Sequence, residues 1–320
     1  MNKILLLLLV LVAISFGQIE YDPTQIKGAD ACENCHKSAV DHWKTTSHYN
    51  VFSGNEEQVA MHRRPESKEI LKKMGMKSAK RGLCTNCHFT LQQQEGKKRA
   101  KAISGPSCES CHGTASNWIE FHGVFGNDAN GTKATRETET AEHKLNRLKK
   151  ADDAGMIRTH DIYNIVENCF ECHTVPNEEL VNVGGHKAGS DIDFQNWLNK
   201  EIKHNFLYSD GASNREAPRD FEIKTRNEKS KLIGLLVDLE YSLRGFATST
   251  EEGDYSNSMK NRIESVISKL NELKTAHNDS KIISSALNSV NEVQIELTNA
   301  SSLNTIADKV KSIAQNYSQN

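Results

Sequence analysis

Eight cysteines fall into four copies of one short pattern. Cys32 and Cys35, Cys84 and Cys87, Cys108 and Cys111, and Cys169 and Cys172 are each separated by two residues. Each pair is followed at once by a histidine: His36, His88, His112 or His173. No cysteine is left over. Two cysteines at this spacing can bond both sulfurs to the two vinyl positions of one porphyrin, while the next residue, an imidazole, reaches the iron. Cys-x-x-Cys-His is therefore a covalent c-type haem site, and the chain is expected to carry four such haems. The four pairs could instead build two four-cysteine zinc sites, which leaves the trailing histidines without a role. Disulfides are the other reading open to an exported chain, and they too ignore the histidines.

A haem iron takes a sixth ligand or keeps an open position, and the choice separates electron transfer from catalysis. Nine of the 13 histidines lie outside the motifs. His277 sits in a helical stretch as an ordinary surface residue, and His62 and His143 lie in charged, solvated stretches ("MHRRPES", "AEHKLNR"). His42, His48, His122, His160, His186 and His204 lie beside aromatics, glycines or the motifs, and are the better candidates for ligands. Between His88 and His112 there is no histidine at all. The second motif therefore lacks a ligand just downstream and is the first candidate for an open iron, although a distal residue can come from anywhere in the fold.

The elements that must hold these residues divide the chain by composition. All prolines, cysteines and tryptophans lie before residue 220. That front part has few periodic apolar segments, so short helices and loops are expected, with large apolar cofactors filling the interior. From about residue 223 the apolar residues recur at helical intervals. Leu232 to Leu243 is one run; Met259, Ile263, Val266, Leu270 and Leu273 form a second. Ile283, Leu287, Val290, Val293 and Leu297 form a third, and Ile306, Val310, Ile313 and Tyr317 a fourth. Polar breaks such as "STEEGDYSNS" and "HNDS" separate them, as in an antiparallel helical bundle.

The chain opens with "MNKILLLLLVLVAISFG", a lysine, an unbroken apolar run, then small residues Ser15 and Gly17. This pattern predicts a signal peptide over residues 1–17 and export to the periplasm. The run is short for a membrane-spanning helix, and no later stretch reaches the roughly 20 apolar residues a bilayer requires. No span is expected in the mature protein. A formal charge of −2 argues against nucleic acid as a partner.

The first motif with "HWKTTSHYN", the close second and third motifs with "GPSCESCHG", the fourth within "NCFECHTVPNEELVNVGGH", and the later "WLNKEIKHNF" together resemble the tetrahaem cytochrome c-554 family. The resemblance covers roughly residues 28–210 and leaves out the helical bundle. It implies three haems held between two histidines and a five-coordinate second haem. By position, it implies that His48 caps the fourth haem (His173), that His122 caps the first (His36), and that His204, with His186 as the alternative, caps the third (His112). It leaves the iron at His88 open. On this basis "CENCHKSAVDHWKTTSHYN" would bind one haem by its head and ligate another by His48.

The expected fold is mainly α. A loop-rich multihaem cytochrome domain over residues 18–222, with short helices around stacked haems, precedes the bundle over residues 223–320. The expected function is periplasmic electron transfer between a donor and an acceptor, one of them a hydroxylamine oxidoreductase-like or other multihaem enzyme. A nitrogen-oxide or hydroxylamine redox enzyme at the His88 iron is the alternative, and the bundle could make the protein a subunit of a larger complex. The lysine-rich segments "SKEILKKMGMKSAKRG" and "EGKKRAK" flank the second motif and read equally as a docking face or as a solvated surface.

Overall fold

A computed structural model describes residues 21–190, 194, 197, 223–276 and 280–319. The fold is mainly helical. The expected signal peptide, His204, His277, the "WLNKEIKHNF" stretch apart from Trp197, and the boundary at residue 222 lie outside the described residues.

The front part is built of short helices that carry the motifs. α1 (Asp30–Trp43) bears the first and departs from helical geometry at His36. α2 (Ser47–Ser53) bears His48 and starts at Thr46, whose hydroxyl accepts from the Tyr49 amide. α3 (Pro65–Lys73) begins with proline, which suits a first helical turn. α4 (Thr85–His88) holds most of the second motif. β1 (Thr90–Gln92) and β2 (Lys101–Ser104) then form a small antiparallel hairpin. α5 (Cys108–His112) is the third motif itself, closed by a capping box between Ser107 and Ser110. α6 (Ala141–Asp153) is followed by α7 (Ile162–His173), which ends on the fourth motif, and by α8 (Glu178–Asn182).

α9 (Ile223–Thr248), α10 (Asp254–Ala276), α11 (Ser280–Val290) and α12 (Ala300–Gln319) follow. α9 is the central helix, packed against α7, α10 and α12. It shows no single apolar stripe because Leu232, Ile233, Leu236, Val237, Leu239 and Leu243 are buried around most of its circumference. The third apolar run outlasts its helix: α11 stops at Val290, yet Val293 and Leu297 still pack on the core from the turn that follows. Their spacing therefore imitates a helix in the sequence.

α7 belongs to the same core. Its Ile162, Tyr163, Val166 and Phe170 pack with the apolar residues of α9 to α12, so the helix that carries the fourth motif is docked on the C-terminal helices. The Tyr163 hydroxyl lies 2.8 Å from Glu240 Oε2, and Lys311 Nζ lies 3.0 Å from Glu167 Oε1. Among the described residues, every one of the largest fully buried side chains lies at or after Tyr163. Before it half of the buried apolar residues are alanines, the rest being Ile26, Val40, Val51, Phe89, Trp118 and Ile162. The front part thus lacks an ordinary core of large side chains.

Candidate haem-binding site

Short-range contacts hold the motifs against one another. The Trp43 indole donates to the Pro106 carbonyl at 2.8 Å, tying the end of α1 to the turn before the third motif. Gly105 lets α2 lie on that turn: a Cβ there would collide with the His48 carbonyl and would sit 2.7 Å from Val51 Cγ1. Glu109, inside the third motif, is buried and accepts backbone amides from Lys27 at 3.0 Å, Gly28 at 2.7 Å and Ala115 at 2.8 Å. It fastens the segment leading into α1 to the third motif. Asn168 of α7 donates to the Cys111 carbonyl at 3.0 Å. Cys32 lies beside Cys108 and Cys87 beside Cys172, whose Sγ also lies 3.9 Å from the Asn86 carbonyl. The first motif therefore lies beside the third, and the second beside the fourth.

The imidazoles come together in pairs. His36 faces His122 with ring centres 6.3 Å apart and planes 25° apart. His48 faces His173 at 6.1 Å and 66°. His88 faces His186 at 6.1 Å and 43°. Two imidazoles bound through nitrogen at about 2.0 Å on opposite sides of one metal ion, with about 1.1 Å from nitrogen to ring centre, have centres about 6.2 Å apart. All three pairs have this spacing.

Several of these rings are fixed through the other nitrogen. His112 Nδ1 lies 2.8 Å from the Ile157 carbonyl, and His122 Nδ1 lies 2.9 Å from that of Ile119. His186 Nδ1 lies 2.7 Å from the Lys187 carbonyl, and His173 Nδ1 lies 2.9 Å from Ser190 Oγ. A carbonyl acceptor at Nδ1 puts the ring proton there and leaves the Nε2 lone pair for a metal. Burial also keeps His88, His112, His122 and His173 neutral. It pushes His88 down to about 4, helped by His186, and His173 down to about 3, helped by His48. Burial lowers His112 and His122 as well, against the hydrogen bonds to Ile157 and Ile119.

His48 faces His173, and His122 faces His36. His186 lies opposite His88, the histidine expected to hold an open iron, and not opposite His112. The local lack of a histidine after His88 had no bearing on this, because His186 arrives from the other side of the fourth motif. It is set there by the turn that closes α8, where Gly185 has φ +76° and the His186 amide donates to the Leu180 carbonyl. His204, the other ligand expected at His112, is outside the described residues. His160 is exposed, with Asp152 Oδ2 3.9 Å away, and His42 lies half-buried on α1. His143 is partly exposed, and its Nδ1 lies 2.7 Å from the Glu139 carboxylate, which Arg147 also grips. His62 is less solvated than expected, with a buried Nδ1.

Ser190, Ile157 and Glu109 escaped the sequence reading. Their roles depend on contacts between distant segments, and no motif marks them.

The residues fit covalent haem better than the alternatives. All eight cysteines are free of disulfides. Among the described residues no three or more His, Cys, Asp or Glu side chains converge as a metal-ion cluster, so four-cysteine zinc sites have no counterpart. The paired imidazoles, together with a front part short of large core side chains, suit flat apolar cofactors held between histidines. These features are the ones a c-type cytochrome, which binds haem covalently and works in electron transfer, would need. Residues 31–113, which include the first three motifs, are similar to the family described as cytochrome c554 and c-prime. No curated protein and no solved structure matches the chain. Among the described residues no helix is long and apolar enough to cross a membrane.

Proposed function

We propose that this protein is an exported, periplasmic electron carrier with four c-type haems, receiving electrons from one redox protein and delivering them to another. The observation that carries this reading is the set of three imidazole pairs at the spacing of a single iron. Cys32 and Cys35 with His36, Cys84 and Cys87 with His88, Cys108 and Cys111 with His112, and Cys169 and Cys172 with His173 hold one haem each. His122, His186 and His48 are the opposite ligands at the first, second and fourth haems, and His204 is the proposed ligand at the third. Bound haem iron supplies reversible one-electron chemistry.

The chain's own residues keep that chemistry from becoming catalysis. A histidine on each side of an iron leaves no position for a substrate. The Nδ1 hydrogen bonds fix ring orientation and strengthen each nitrogen donor. With the first motif beside the third, and the second beside the fourth, haems held there would be neighbours between which electrons could pass. The alternative, an enzyme acting on nitrogen oxides or hydroxylamine at an open His88 iron, is disfavoured by the His186 ring opposite.

Lys68, Lys72, Lys73, Lys77, Arg81, Lys97, Lys98, Arg99 and Lys101 are exposed around the second motif, and the turn before His186 brings Gly185 against Lys73. This surface suits an acidic partner docking near the His88 haem.

Haem quantitation on the periplasmic fraction, followed by a reductive titration, tests the proposal. Four thioether-linked haems per chain, all reversibly reduced, are expected. Fewer than four, or haem protein confined to the cytoplasm, would contradict it.

A further inference from the structure

The family match ends at residue 113 and the resemblance stops before the C-terminal helices, yet one of those helices reaches the fourth haem motif. Arg262 on α10 is largely buried, with 12% of its side chain exposed. Its Nε donates to Asp238 of α9, a carboxylate 6% exposed that also accepts from Ser242 Oγ at 3.2 Å. Its guanidinium carbon stands 5.6 Å from the centre of the Phe170 ring on α7. Its Nη1 donates to the Ser190 carbonyl at 2.8 Å. Ser190 in turn is bound twice to His173: its amide donates to the His173 carbonyl at 3.0 Å, and its Oγ lies 2.9 Å from His173 Nδ1. Gly189 makes the approach possible. It has φ +73°, and a Cβ there would stand 2.9 Å from Arg262 Nη1 and 3.1 Å from the His173 carbonyl.

We propose that Arg262 is a positioning residue for the proximal ligand of the fourth haem, so that the C-terminal helices tune one haem of the chain through the line Asp238, Arg262, Ser190, His173. This rests on the reading of His173 as a haem ligand. Asp238 aims the guanidinium, the guanidinium fixes the Ser190 backbone, and the Ser190 hydroxyl accepts the His173 Nδ1 proton. A hydrogen bond donated from Nδ1 makes Nε2 a stronger ligand and sets the plane of the ring. The buried cation a short way behind that ring favours the reduced, less positive iron.

Two effects follow, and both concern a single haem. Arg262→Gln removes the cation and should lower the midpoint potential of one of the four haems. Ser190→Ala removes the acceptor and should shift the paramagnetic resonance signal of that same haem. Arg262→Lys should restore the potential in part, since it keeps the charge and loses the fork geometry. The Arg262→Gln, Ser190→Ala double variant should change the signal little more than Ser190→Ala alone, because the two residues act along one line.

The experiment is a spectroscopic redox titration of the holoprotein and these variants, with haem content measured on each. If Arg262→Gln and Arg262→Lys lower the melting temperature and leave all potentials and signals unchanged, Arg262 only braces the helices and the proposal fails. It also fails if Ser190→Ala and Arg262→Gln move different haems. Wild-type protein that carries no haem at Cys169 and Cys172 would instead overturn the reading of His173 beneath it, a result visible in haem content before any titration.

Discussion

At the scale of single residues, the proposed function makes His186 the residue that decides what the second haem can do. Its ring centre stands 6.1 Å from that of His88, the same distance as between His48 and His173. His186→Ala should open that iron. The ferric protein should then show a high-spin signal that the wild type lacks, and the reduced variant should bind nitric oxide. An unchanged spectrum in the variant would mean that His186 is not the ligand. The histidines that attach directly to the cysteines were legible because chemistry fixes their spacing: thioether bonds and an iron ligand need Cys-x-x-Cys-His and tolerate little else. His186 was legible only as a candidate. It comes 98 residues after its partner, and the feature that aims it is the backbone of a turn at Gly184 and Gly185. The Nδ1 acceptors were not legible at all, since a carbonyl such as that of Ile157 carries no side-chain identity.

Among the elements, α7 matters most because it belongs to both halves of the molecule. Its C-terminal end is the fourth motif, and its apolar face fills the core formed by α9 to α12. The Tyr163 hydroxyl is 2.8 Å from Glu240 Oε2 and 3.0 Å from Glu167 Oε1, and Glu240 is buried on the central helix. Burial raises the Glu240 carboxyl, against Arg244 and the Tyr163 hydrogen bond, which lower it. Tyr163→Phe leaves this buried carboxylate short of a donor, which costs about 1–3 kcal/mol. Chemical denaturation followed by helical signal should give an unfolding free energy lower by that amount, whereas an unchanged value would mean that α7 is not held through Tyr163. The helices after residue 223 could be read from periodicity because each buries a face against its neighbours. What periodicity could not give is their partner. The stripe at Met259, Ile263, Val266 and Leu270 announces that a surface is covered, and says nothing of α7 being part of the cover.

For the whole molecule, two kinds of interior stand side by side. One is an ordinary core of leucine, isoleucine and aromatic side chains from Tyr163 onward, and the other is a set of histidine pairs and cysteines around which few large apolar residues are buried. The sequence already announced the contrast through the sharp change of composition near residue 220, since chains that wrap haem need few large apolar residues of their own. The arrangement of the motifs, first beside third and second beside fourth, was beyond reach, because nothing local in a five-residue motif records its neighbour. If the account is right, each iron sits between two histidines and the molecule relays electrons without offering a site for reaction. The low-temperature paramagnetic resonance spectrum of the fully oxidised protein, integrated against its haem content, tests this most directly. The account predicts four haems per chain with only low-spin iron, the signal from the pair with planes 66° apart being more anisotropic than that from the pair at 25°. A high-spin component, or fewer than four haems, would contradict it.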